Sequence, residues 1–298
     1  MGFRTVGILS PGDMGEGVGA SIVGQGIDVI TLLAGRSQET ILRARRAGFK
    51  DTKDLAALVS QADLILSIMP PEHAESNASD VVKVLKRSNE RVCYADLNAI
   101  SPQTTRRISE KFKTVNSEFI DGGIIGWAPF KGNKDTRIYV SGPTASKMLV
   151  LDGNGKQVIN LGTEIGRASA VKMVYASISK GTDSLLTAAY TAAEALGVRD
   201  ILEKEWELSQ PNALARMERR IPALPADAGR WVGEMEQIAE TYNSIGLTDN
   251  YHKGAADIYR LLEKTPFSAE SRDTIDKERT MQDSVKVFVK YLSKPESG

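Results

Sequence analysis

One cysteine, two histidines and no surplus of either charge set the first limits on what this 298-residue chain does. With Cys93 alone, no intrachain disulfide can form, and a reducing compartment suits such a chain. Cys93 lies in the apolar run Arg91 to Leu97 and reads as a small core residue. His73 and His252 are far apart and have no Cys/His cluster or carboxylate ladder beside them, so no metal is expected. Lysine plus arginine and aspartate plus glutamate each total 38, which leaves no net field to gather a polyanion. Nucleic acid and anionic lipid are therefore not the expected partners. No stretch reaches the ~20 consecutive apolar residues of a membrane span. The start, Met1 to Val6, carries no apolar signal region, and Val6 stands where a myristoylation pattern needs a hydroxyl residue. A cytoplasmic protein is expected. A serine-centred nucleophile elbow is also missing.

What is present is enough apolar material, 41% of residues, for a packed core. The length exceeds the roughly 250 residues at which single cores stop growing, so two domains are expected. From Arg4 to about Asn160, short β-rich runs alternate with amphipathic helical stretches, the pattern of βαβ units around a doubly wound, mostly parallel sheet. Strands are expected at Thr5 to Ser10, Asp28 to Leu33, Asp63 to Met69, Arg91 to Asp96, Glu118 to Asp121, Arg137 to Ser141 and Gln157 to Asn160. After Gly166 the strand signal stops. Helices are expected at Ser169 to Leu196, Arg199 to Leu208, Asn212 to Arg219, Arg230 to Ile245, Tyr251 to Lys264 and Asp276 to Leu292, with Pro222, Pro225, Gly246 and Pro266 as stops. The division is thus expected to be an α/β Rossmann domain over 1–163 and an all-α domain over 164–298.

The first strand runs into Ser10-Pro11-Gly12-Asp13-Met14-Gly15 and then a helix. In the dinucleotide fingerprint, Gly12 and Gly15 supply the second and third glycines, and Ser10 replaces the first. Gly12 would let the backbone approach a pyrophosphate, Gly15 would let the helix pack on the sheet, and the helix N-terminus would face the phosphate charge. Roughly twenty residues on, where an acid would take the ribose hydroxyls of NAD, the chain has Ala34-Gly35-Arg36-Ser37. Arg36 offers a planar donor fork to a 2′-phosphate, which points to NADP(H); the alternative is a solvated loop arginine. Arg43, Arg45 and Arg46 read as the wet face of a helix.

These residues resemble the β-hydroxyacid dehydrogenase superfamily, which includes 6-phosphogluconate dehydrogenases and imine reductases, in matching order over nearly the whole chain. Ser67-Ile68-Met69-Pro70 is similar to the family's strand-end loop beside the nicotinamide. Asp96 to Pro102 is similar to its substrate loop, with Asn98 and Ala99 in place of the usual Ser-Thr pair. Asp121-Gly122-Gly123-Ile124-Ile125-Gly126-Trp127 stands at a second substrate loop, with Ile125 and Trp127 in place of small or hydroxylated residues. Gly166 to Lys172 matches the approach to the family's catalytic lysine, although Ala176 replaces the usual asparagine. The stretch from Arg230-Trp231 to Asp257 is similar to a phosphogluconate-dehydrogenase-like branch with its own C-terminal domain.

The resemblance implies hydride transfer between NADP(H) and a small hydroxy or carbonyl compound, or imine reduction by the same fold. A non-catalytic NADPH-binding protein is a third reading. Hydride transfer needs a proton donor opposite the nicotinamide. Lys172, near a helix start and facing a cleft between the domains, is the candidate; a solvated helix lysine is the alternative. Tyr175 either donates to the same oxygen or packs, and Asn98 either orients substrate or holds a turn. His252 is either a substrate contact or a hydrogen-bonded structural residue. Gly123, Gly126 and Trp127 complete the candidate substrate site, and Met69, Pro70 and Asn98 the candidate cofactor site. Lys172, Ser179 and Asp183 fall near one helical line, a polar seam. Met173, Val174, Ile178, Leu185, Leu186 and Leu196 give the long helix more apolar surface than one small domain covers, which, with the resemblance, implies a homodimer.

Overall fold

The structure, a computed structural model, describes residues 2–132, 134–272 and 274–293. The chain divides into two compact units, Met1–Met173 and Val174–Gly298.

The first unit is built on strands β1 (Thr5–Ile8), β2 (Asp28–Thr31), β3 (Lys50–Asp51), β4 (Leu64–Ser67), β5 (Cys93–Asp96), β6 (Glu118–Ile125), β7 (Thr136–Ser141) and β8 (Lys156–Asn160). They form one sheet in the order β3-β2-β1-β4-β5-β6-β7-β8. β7 runs antiparallel to β6 and every other neighbouring pair is parallel. Helices α1 (Asp13–Val23), α2 (Gln38–Arg46), α3 (Leu55–Gln61), α4 (Pro71–Ser88) and α5 (Pro102–Phe112) connect the strands.

The central strands are buried on both faces, which is why they read as continuous apolar runs. In β4, Leu64 and Leu66 join a cluster with Val6, Ile8, Val18 and Ile22, while Ile65 joins the opposite one with Leu58, Val81 and Tyr94. Tyr94, Phe112 and Phe119 stack in that second cluster with ring centroids 4.6 to 6.1 Å apart. Cys93 lies in the first cluster, and burial pushes its thiol up to about 12. Helix starts follow local chemistry. The Asp54 carboxylate accepts from the Ala57 amide (2.8 Å) ahead of α3, and Ser101 Oγ accepts from the Thr104 amide (3.0 Å) ahead of α5. Pro71 and Pro102 occupy first-turn positions, where a missing N–H costs nothing.

Every expected strand is present, with three differences. β3 is two exposed residues, too short to show an alternation. β6 does not end at Asp121 but runs to Ile125, because β7 pairs with it from Asp121↔Ser141 to Ile125↔Arg137. The segment expected as a second substrate loop is therefore mostly strand. A 3-10 turn, Ala145–Leu151, also joins β7 to β8.

Helix α6 (Arg167–Ala195) spans the division between the units. The second unit continues with α7 (Arg199–Ser209), α8 (Pro211–Arg220), α9 (Pro225–Asn243), α10 (Asn250–Glu263) and α11 (Met281–Phe288). Two boundaries correct the sequence reading. Pro225 opens α9 rather than stopping a helix, and α11 starts at Met281 rather than Asp276 because Thr280 and Asp283 form a capping box there. Trp231 of α9 meets Tyr259 of α10 edge-on at 5.3 Å. No described helix is long and apolar enough to cross a membrane.

Candidate active site

The strand order reverses between β1 and β4, and in open α/β sheets ligands bind at the strand ends beside such a point. The chain leaving β1 is still tied to β4 there, with the Leu9 amide donating to Leu66 O at 3.1 Å. Gly12 precedes α1 without a side-chain cap, and a Cβ placed on it would meet nothing within 4 Å. No side chain therefore occupies the first turn of α1 as a cap, which leaves its amides to an anion. A Cβ on Gly15 would lie 2.6 Å from Ser10 O, so glycine is what lets the helix start fold back over the turn. Ser10 has φ 128°, a left-handed backbone that normally falls to glycine. The substituted fingerprint thus keeps the glycine geometry, and the turn fits a pyrophosphate. Pro11 is buried, and Asp13 and Met14 are half-buried within it.

Beyond β2, Gly35 has φ 73° and Arg36 is exposed, with no side-chain hydrogen bond or ion pair among the described residues. Ser37 is held as the cap of α2, accepting from the Thr40 amide. The arginines of α2 are not merely a wet face. Arg46 donates twice to the buried Glu16 of α1 (2.6 and 2.9 Å), and Arg43 lies 3.9 Å from the same carboxylate.

The loops after β4 and β5 are joined through one side chain. Asn98 is 2% exposed; its Oδ1 accepts from the Met69 amide (2.7 Å) and its Nδ2 donates to Ser67 Oγ (2.8 Å). Of the two roles open for Asn98 in the sequence, the structure displays the loop-holding one. Ala99 and Pro70 are half-buried beside it in sequence. Asp96 accepts from the Asn98 amide at 3.0 Å through Oδ1, whereas its buried Oδ2 has no hydrogen-bond partner. Burial above all, and then the nearby Asp121 charge, push this carboxyl up to about 7 against the Asn98 hydrogen bonds that favour its ionised form.

Asp121, paired with Asp96 in register on β6, has the opposite surroundings. Fully buried, it accepts from the amides of Gly166 (2.8 Å), Ala168 (3.0 Å) and Ser169 (3.2 Å), from Ser141 Oγ (2.7 Å) and from Ser169 Oγ. These amides are the uncapped start of α6, so the carboxylate both satisfies them and opposes the positive end of the helix dipole. One turn further along α6, Lys172 is half-buried and donates to Ile124 O on β6 at 2.7 Å. A Cβ on Gly123 would stand 2.7 Å from Lys172 Cβ and 3.1 Å from Ala168 O. Glycine at that position is what permits this approach. Gly126 has φ 117°, and Trp127 after it is 54% exposed. Asp121 carries no role in the sequence reading; the signal available was an acid directly before a Gly-Gly pair.

Tyr175 and His252 belong to the second unit. Tyr175 is 50% exposed. His252 is buried, its Nε2 shares a 2.8 Å hydrogen bond with Ser177 Oγ, and Tyr242 donates to the same hydroxyl at 2.9 Å. Burial holds this imidazole below its ordinary range, and Nδ1 has no hydrogen-bond partner. The expected polar seam does not act as a unit: Asp183 accepts from Arg216 Nε (2.7 Å) and Arg220 Nε (2.9 Å), which makes it part of the packing of α6 against α8.

Comparison with known proteins fits this geometry. Residues 5–151 match the NAD binding domain of 6-phosphogluconate dehydrogenase, and residues 193–262 match a domain of unknown function, DUF1932. The chain carries these two domains in that order, and its fold is that of the hydroxyacid dehydrogenases. An uncharacterized 28.5 kDa protein from the 7S RNA 5′ region of Methanothermus fervidus is 30% identical over 177 residues, 59% of this chain and 66% of that protein. A conserved protein of unknown function, described as structurally similar to 3-hydroxyacid dehydrogenases, is 28% identical, covers 87% of this chain and 96% of its own, and superposes with a TM-score of 0.63. The Mycobacterium tuberculosis 3-hydroxyisobutyrate dehydrogenase shares the fold at 17% identity over 96% and 99% of the two chains, TM-score 0.64. A reductive aminase from Aspergillus terreus, solved with NADPH and ethyl levulinate, does so at 15% identity over 97% and 99%, TM-score 0.54.

The Asp96 carboxyl generates a pH prediction. The folded chain keeps this proton up to about 7 while the unfolded chain releases it near 4, so stability falls as pH rises between those values and levels off above them. Denaturant unfolding at pH 5 and pH 8 is expected to show Asp96→Asn losing less stability than wild type over that interval, by roughly 2–3 kcal/mol. Equal losses in the two proteins would show that Asp96 is ionised throughout.

Proposed function

We propose that the chain is an NADP(H)-dependent oxidoreductase that moves a hydride between nicotinamide and a small hydroxy or carbonyl compound, with Lys172 as the acid/base. The observation that carries this reading is the placement of Lys172. A buried carboxylate fixes the start of its helix, and a glycine strand lets its stem lie against β6, within the same unit as the phosphate-fitting turn. When bound, the nicotinamide supplies or accepts the hydride. The protein's part is to hold a proton at Lys172 Nζ, with the Ile124 carbonyl orienting the ammonium, and to hand it to or take it from the substrate heteroatom. Tyr175, three residues along the same helix, is the second donor in this reading. Arg36 supports NADP(H) over NAD(H), since its guanidinium, in the loop after β2, is exposed and has no side-chain partner among the described residues, which suits it to a 2′-phosphate.

Reduction of an imine is the second reading. What supports it is the lack of side-chain hydroxyls for a substrate carboxylate at Ala99, Ile125 and Trp127, together with the fold shared with a reductive aminase. For the assembly, we propose a homodimer. Val174, Ile178, Leu185 and Leu196 leave an apolar stripe 52 to 75% exposed along α6, whereas Met173, first counted with them, is buried.

Three measurements test these statements. Arg36→Ala is expected to weaken NADPH about tenfold or more and NADH less than about threefold in calorimetric titration; equal losses would remove the 2′-phosphate assignment. Across aldehydes, keto acids and cyclic imines followed by NADPH absorbance, Lys172→Ala is expected to lower kcat on the best substrate about 100-fold or more. Unchanged turnover there would assign the proton to another group. Sedimentation is expected to give twice the single-chain mass and, for Ile178→Lys combined with Leu185→Lys, a shift toward the monomer; a wild-type monomer would refute the dimer.

A further inference from the structure

The first turn of α1 contains two acids, Asp13 at its first position and the buried Glu16 at its fourth, directly where a dinucleotide would bring a doubly charged pyrophosphate. At such short range, carboxylates at a phosphate site oppose binding unless a cation stands between them. Arg43 and Arg46 approach Glu16 from α2. Lys131 lies within reach of both acids, its Nζ 2.6 Å from Asp13 Oδ1 and 3.8 Å from Glu16 Oε2.

Lys131 is not a loose surface lysine that drifted there. Its loop is seated on α1, since a Cβ on Gly17 would come within 2.8 Å of Ala128 Cβ and 3.1 Å of Pro129 Cδ. The Lys131 amide donates to Ala128 O at 3.0 Å, and Thr136 Oγ1 donates to Trp127 O at 2.6 Å, which fixes the two ends of the turn. The side chain as a whole remains 44% exposed. An ammonium has three donors on a flexible stem, and the bond to Asp13 uses one of them.

We propose that Lys131 is a ligand of the dinucleotide pyrophosphate, held at the phosphate turn by Asp13. Without nucleotide, the ammonium neutralises the acidic turn. With nucleotide, it keeps Asp13 as an anchor and directs a second N–H to a pyrophosphate oxygen. This assignment rests on the nucleotide-binding reading, and the test separates the two. Lys131→Met and Asp13→Asn, singly and combined, are titrated by calorimetry with NADPH, NADH and ADP-ribose, which share the pyrophosphate and differ in the 2′-phosphate and the nicotinamide. Lys131→Met is expected to weaken all three about tenfold, without the NADPH bias expected for Arg36→Ala, and the loss is expected to shrink as salt is added. The combined variant is expected to remain weak.

Lys131→Met within about twofold of wild type for all three ligands would overturn the assignment. So would recovery of wild-type affinity in the combined variant, which would make the lysine only a counter-charge to Asp13. A wild-type protein that binds none of the three overturns the nucleotide reading and this assignment with it. Melting temperatures of the variants without nucleotide are expected to stay near wild type; a collapse of the fold in Lys131→Met would show a structural role instead.

Discussion

The arrangement of the candidate site depends on a buried charge, the carboxylate of Asp121. Removing a carboxylate from water is costly, and it persists only where donors replace the lost solvent. Asp121 has three backbone amides and two hydroxyls, and the amides belong to the end of a helix whose dipole favours a negative charge. The same five bonds fix where α6 starts relative to β6. That start then determines which carbonyl Lys172 reaches, since α6 passes so close to Gly123 that no larger residue fits.

Asp96 shows how strongly local donors decide the state of a carboxyl. It faces Asp121 in register across adjacent strands, is equally buried, and has a single backbone donor on one oxygen and nothing on the other. Burial above all, and then the nearby Asp121 charge, push Asp96 up to about 7, so it keeps its proton toward the neutral range. Residues of one type on neighbouring strands thus differ in how many donors reach them.

Much of this was legible in the sequence because it rests on short-range chemistry. Strand and helix alternation, the glycine turn, the proline helix starts of α4 and α5 and the approach to Lys172 all show as local patterns. What escaped was set by partners distant in the chain. β3 exists only because Ile30 and Thr31 offer it a ladder, and β6 outruns its expected end because β7 returns along it. Arg43 and Arg46 look solvated until Glu16 of α1 is placed beside them. Asp183 looks like part of a polar seam until α8 brings two arginines to it. Asn98 shows its polarity in the sequence but not the partners of its amide, which are residues about thirty positions away. The position of Ser10 was legible, whereas its left-handed backbone was not, since nothing local marks a serine for a conformation that glycine usually takes.

The amide of Asn98 also has a mechanical meaning. Its two ends grip the exits of β4 at Ser67 and Met69, while its own backbone is pinned to Asp96 at the exit of β5. A displacement of either exit therefore pulls on the other through a rigid, planar group with little slack. Redesigning one wall of the crevice without disturbing its neighbour would first require cutting this tether, and a chain so rebuilt would exchange coupled placement of the two loops for independent adjustment of each.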